Sequence, residues 1–72
     1  MIYRIECKYS GKGFSFCGSL TDAIREACSM CERPESCWCV WDDLGMKMAE
    51  CKMGGPSWVK GGIDELSKYH GY

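Results

Sequence analysis

Residues 19–31 read Ser-Leu-Thr-Asp-Ala-Ile-Arg-Glu-Ala-Cys-Ser-Met-Cys, and this stretch decides the fold. Its apolar members are Leu20, Ala23, Ile24, Ala27, Cys28 and Cys31, at offsets 0, 3, 4, 7, 8 and 11 from Leu20. That spacing makes one continuous stripe along an α-helix. Asp22, Arg25, Glu26, Ser29 and Met30 point elsewhere. Ser19 followed by Asp22 is a capping-box-like start, with the acid close to the positive end of the helix. Arg33-Pro34 ends the helix, because proline cannot continue it and disfavours the α conformation in the residue before it.

On the N-terminal side, residues 3–9 alternate strictly. Tyr3, Ile5, Cys7 and Tyr9 fall on one face of a strand, and Arg4, Glu6 and Lys8 on the other. Ser10-Gly11-Lys12-Gly13 is a turn, and Phe14-Ser15-Phe16-Cys17 resumes the alternation. With Gly11 and Lys12 as a two-residue loop, Tyr9 pairs with Phe14 and Cys7 with Phe16, so the apolar residues of both strands share a face.

On the C-terminal side, residues 36–41, Ser-Cys-Trp-Cys-Val-Trp, are apolar on both faces, which suits a central strand. Asp42-Asp43-Leu44-Gly45 signals a type I turn with Gly45 left-handed. Residues 46–53 return as a strand. A three-residue loop sets Val40 against Met48, Cys39 against Ala49 and Cys37 against Cys51. Gly54-Gly55-Pro56 breaks the chain, and residues 57–60 suit a short edge strand. Residues 61–72 are read as a helical turn and a fraying tail. The whole is an α+β fold in a single domain, residues 1–72. It is a small antiparallel sheet of four to five strands in the order β-β-α-β-β, with a possible fifth strand and one helix packed on one face.

The 72-residue chain is 46% hydrophobic and 26% charged, with a net charge of −1. That is ordinary globular composition. It shows no excess of positive charge to neutralise phosphates, so a nucleic-acid partner is not expected. No apolar run approaches the ~20 residues of a membrane span. The charged N-terminus does not suit a signal peptide, so a cytoplasmic protein is expected.

Seven cysteines are many for this length. Their odd number and the expected compartment point to free thiols packed as small hydrophobes. An alternative is a zinc-stabilised structural or nucleic-acid-binding module. Cys28 and Cys31 lie one helical turn apart, and Cys37 and Cys51 are expected cross-strand neighbours, so the four could converge beneath the helix. The helix positions differ from the usual knuckle spacing, and packing without metal or cofactor is the favoured reading. A thioredoxin-like role is disfavoured, because the Cys28-x-x-Cys31 pair sits at the C-terminal end of its helix rather than the N-terminal end. The sole histidine, His70, lies in the tail, and Asp42-Asp43 reads as a turn former. No nucleophile, base and oxyanion site assembles, so no enzyme is expected.

If Cys37, Cys39 and Cys51 face the helix, then Trp38, Val40, Met46 and Met48 face away. Such a patch is large for a small monomer and suits a protein contact, with Arg4 and Lys8 as rim residues. The competing expectation is that Trp58 and the C-terminal segment fold back over it. A homodimer through the same face is compatible with the sequence.

The layout has a familiar counterpart. A hairpin, then Ser19-Leu20-Thr21-Asp22-Ala23 opening a helix, then a hairpin turning at Asp43-Leu44-Gly45, then a glycine-rich break and Trp58-Val59, resembles small phage and mobile-element proteins. Among these it is similar to compact anti-CRISPR proteins with a β-β-α-β-β sheet, over residues 2–59. The resemblance implies a non-catalytic inhibitor that occupies the surface of a bacterial host nuclease or surveillance complex.

Overall fold

A computed structural model describes residues 1–60. The expected C-terminal helical turn and His70 lie outside the described residues. The elements are β1 (Ile2–Cys7), β2 (Gly13–Cys17), α1 (Leu20–Ser29), β3 (Cys37–Trp41), β4 (Lys47–Lys52) and β5 (Gly55–Val59). The strands form one antiparallel sheet in the order β2-β1-β3-β4-β5, and α1 packs across one face. The expected α+β fold and its optional fifth strand are therefore both present.

The Ser19 hydroxyl accepts the Asp22 N–H at 3.1 Å, as the capping pattern requires. Ala23, Ile24 and Ala27 are buried, and Cys31 is buried just beyond the helix end. The helix stops earlier than Pro34. The Met30 N–H is shared between the Glu26 and Ala27 carbonyls, which tightens the last turn.

The first hairpin differs from its expected register. Ile5 opposes Phe14 and Tyr3 opposes Phe16. The Gly11 N–H bonds the Cys7 carbonyl and the Cys7 N–H bonds the Lys12 carbonyl, so Lys8 to Gly11 form the loop. Gly11 takes φ +74°, where a side chain would be strained. The displacement is four residues, an even number, so the expected faces survive; Tyr9 leaves the strand and is exposed.

The second hairpin holds the expected register only beside its turn. Gly45 has φ +81°, and one Asp42 carboxylate oxygen accepts the Leu44 and Met46 N–H groups at 2.9 and 2.7 Å. Trp41 opposes Lys47 as expected. A bulge at Met48 then shifts the pairing by one residue, so Val40 opposes Ala49 and Trp38 opposes Cys51. A shift of one residue exchanges the faces of β3. Phe14, Ile5, Val40, Ala49 and Val59 now form a cross-sheet row beneath α1. Cys37 and Cys39 lie on the opposite face.

Candidate protein-binding face

Among the described residues, no helix lies on the other face of the sheet. Two cross-strand rows define that face. Ser15, Arg4, Trp41 and Lys47 form one, and Glu6, Cys39, Glu50 and Trp58 form the other. Their side chains share a face because residues directly opposite on adjacent strands do.

Glu50 is the organising charge. It accepts Lys8 Nζ and Cys37 Sγ, each at 3.3 Å, on one carboxylate oxygen, and Lys47 Nζ on the other. The bond from Lys47 is the main reason its carboxyl is held down at about 2; burial opposes this, and the bonds from Cys37 and Lys8 reinforce it. Lys8 is raised in turn by its bond to Glu50. Cys37 is pushed up to about 11, first by burial and then by Glu50. Burial likewise raises Cys39. These two thiols are packing groups and stay protonated at neutral pH.

Trp58 is 43% exposed on edge strand β5, with Lys47 Nζ 5.6 Å from the centre of its ring. Ser57 is the extra residue where β5 bulges against β4, and its hydroxyl donates to the Glu50 carbonyl. Arg4 pairs with Glu6 at 3.2 Å. Trp58 thus belongs to the helix-free face as a member of the sheet, not as a flap folded over it.

The expected contact residues divide. Arg4 and Lys8 lie on the helix-free face, as anticipated. Met46 is exposed beside the β3–β4 turn, where Lys60 Nζ reaches its sulfur. Met48 is the bulge residue, half-buried against the core. Trp38 and Val40 are corrected. Val40 is fully buried beneath α1, and Trp38 is half-buried against the same core, tilted on Phe14 at 6.4 Å. The Met48 bulge is the physical reason, since it turns β3 over relative to the unbulged register.

Trp41, Glu50 and Trp58 are the residues that sequence reasoning missed. A signal was present. In β4, Glu50 and Lys52 share a parity opposite to Ala49 and Cys51. That polar parity marks the side away from the core, and its neighbours across β3 belong there too.

The same inversion separates the four thiols of the zinc alternative. Cys51 lies beneath α1, while Cys37 lies on the other face. Among the described residues, no group of three or more histidine, cysteine, aspartate or glutamate side chains is arranged to hold a metal ion. Asp42 and Asp43 sit in the turn, with the Asp42 carboxylate engaged by backbone N–H groups. Comparison with protein-family models, with curated proteins and with solved structures gives no match.

Proposed function

We propose that this chain is a non-catalytic interaction protein of the phage or mobile-element kind that its layout resembles. It inhibits a bacterial host assembly, a CRISPR or other defence complex, by covering one of its surfaces. The helix-free face is the contact, with Trp58 and Trp41 as anchors and Arg4, Lys8, Lys47 and Met46 around them.

The observation that supports this is the segregation of charge behind a net charge near zero. Among the described residues, six of the eight cations, Arg4, Lys8, Lys12, Lys47, Lys52 and Lys60, lie on β1, β4, the first hairpin loop or the end of β5, while Arg25 and Arg33 lie on α1 and in the segment after it. Asp22, Glu26, Glu32, Glu35, Asp42 and Asp43 lie on α1, the segment after it or the β3–β4 turn. Only Glu6 and Glu50 offset the cations of the sheet, and both are engaged in ion pairs there. A half-exposed tryptophan set among lysines suits an acidic protein surface, with the aromatic supplying affinity and the charges orientation and on-rate.

The test is capture from a bacterial lysate by the tagged full chain and by Trp58→Ala. An assembly held by the first, lost with the second and weakened by added salt is expected. Equal capture by both chains contradicts the proposal. A second copy of the chain on this face would instead give a dimer that Trp58→Ala splits.

A further inference from the structure

The strand order leaves β2 and β5 at the two edges of the sheet, and the two are built differently. β5 carries Pro56, which offers no N–H, and the bulge at Ser57, two devices that keep an edge strand from pairing further. β2 reads Gly-Phe-Ser-Phe-Cys, with no charge, no proline and no bulge.

The hydrogen bonds at the two ends of the first hairpin show which way the β2 backbone points. The Cys7 N–H bonds the Lys12 carbonyl at 2.7 Å, and the Gly18 N–H bonds the Met1 carbonyl at 3.0 Å. Bonded pairs recur at every second position of an antiparallel ladder, so the bonded pairs between them are Ile5 with Phe14 and Tyr3 with Phe16. Phe14 and Phe16 therefore turn their N–H and C=O groups to β1, and Gly13, Ser15 and Cys17 turn theirs outward. These three residues are exposed, and among the described residues no hydrogen bond reaches the outward groups. Phe14 and Phe16 are half-buried on the helix side, at the margin of a core that α1 covers mainly over β1, β3 and β4.

We infer that β2 is a self-pairing edge, on which β2 of a second copy of this chain docks antiparallel about a two-fold axis at Ser15. The strand itself sets the register. With Ser15 opposite Ser15, Gly13 of each copy meets Cys17 of the other, and every outward N–H finds an outward carbonyl. A shift of two residues leaves Gly13 or Cys17 unpaired. On the helix side, Phe14 of each copy then faces Phe16 of the other in the closer, non-bonded pairs, with Cα atoms about 4.5 Å apart. The exposed parts of these rings cover one another. Lys12 comes opposite Gly18, so no like charges meet. The axis stands perpendicular to the sheet, which puts both helices on one side and both helix-free faces on the other. The inference does not rest on the host contact proposed above, and it leaves that face open.

The experiment is sedimentation equilibrium of the full, reduced chain from a few micromolar to about 1 mM, because pairing two short strands makes a small and hence weak interface. A concentration-dependent rise to twice the 8.1 kDa chain mass is expected. Ser15→Pro removes only an outward N–H and spares the ladder to β1, so it should keep the fold and weaken the dimer at least about tenfold. Trp58→Ala should leave the dimer intact. Hydrogen exchange on the wild-type chain reads the same edge without a variant: the Gly13, Ser15 and Cys17 amides should gain protection as concentration rises, and Phe14 and Phe16 should be protected throughout. A chain that stays monomeric over the whole range overturns the inference. So does a dimer that Trp58→Ala splits, or one in which the Ser15 amide still exchanges freely.

Discussion

Exchanging Val40 for alanine tests the inverted face of β3 where it matters most. Val40 is fully buried between Ile5 and Ala49 in the row beneath α1. The substitution removes two methyl groups from that layer. Transfer alone makes this worth about 1.6 kcal/mol, and a cavity between a helix and a rigid sheet raises it to about 2–3 kcal/mol. For a domain of this size that is a fall in Tm of roughly 8–24 °C. Cys39→Ala is the matched control. Cys39 is 5% exposed, nearly as buried, but it lies on the helix-free face beside Glu50 and loses one sulfur atom. Its cost should stay near or below about 1 kcal/mol. Urea unfolding of both variants under reducing conditions, followed by tryptophan fluorescence, makes the comparison. A larger loss for Cys39→Ala than for Val40→Ala would mean that β3 keeps the unbulged register, and the account of both faces would fail.

Two further outcomes follow from the polar network and the turn. Glu50 is held at about 2 against an ordinary 4.5, so its ion pairs stabilise the fold fully above pH ~4.5 and lose their effect as pH falls through about 2. Glu50→Gln should cost about 1–2 kcal/mol at pH 7, less than the full shift implies because the pairs are partly solvated, and the difference from wild type should vanish near pH 2 in acid-unfolding curves. Asp42→Ala removes the acceptor for the Leu44 and Met46 N–H groups; a loss of about 1–2 kcal/mol is expected, with faster hydrogen exchange at those two amides in NMR spectra.

The sequence made some features plain and left others open, for physical reasons. The helix was legible because its stripe and its serine cap agree, and each is a local signal. The Asp42–Gly45 turn was legible for the same reason. The first register was misplaced by four residues because Tyr9 continues the alternation of β1, and nothing local says where a half-buried strand gives way to its loop. The inversion of β3 had a different cause. Cys37, Trp38, Cys39, Val40 and Trp41 are apolar on both faces, so parity alone could not orient them. Their orientation is fixed by the single bulge at Met48, a non-local feature. The consequence for the proposed binding face was large: Trp38 and Val40 moved into the core, and Trp41 and Trp58 took the helix-free side. Arg4 and Lys8 stayed where the sequence put them, because strict alternation in β1 left no second choice.

The most direct test sets Trp38→Ala against Trp58→Ala, with thermal unfolding and capture from bacterial lysate measured on the same preparations. The account predicts that Trp58→Ala melts within a few degrees of wild type and loses the captured assembly, since Trp58 is a half-exposed edge residue. It predicts that Trp38→Ala, which removes a ring packed on the core, melts well below wild type. A Trp38→Ala chain that keeps its melting temperature and loses capture, beside a Trp58→Ala chain that still binds, would contradict the account.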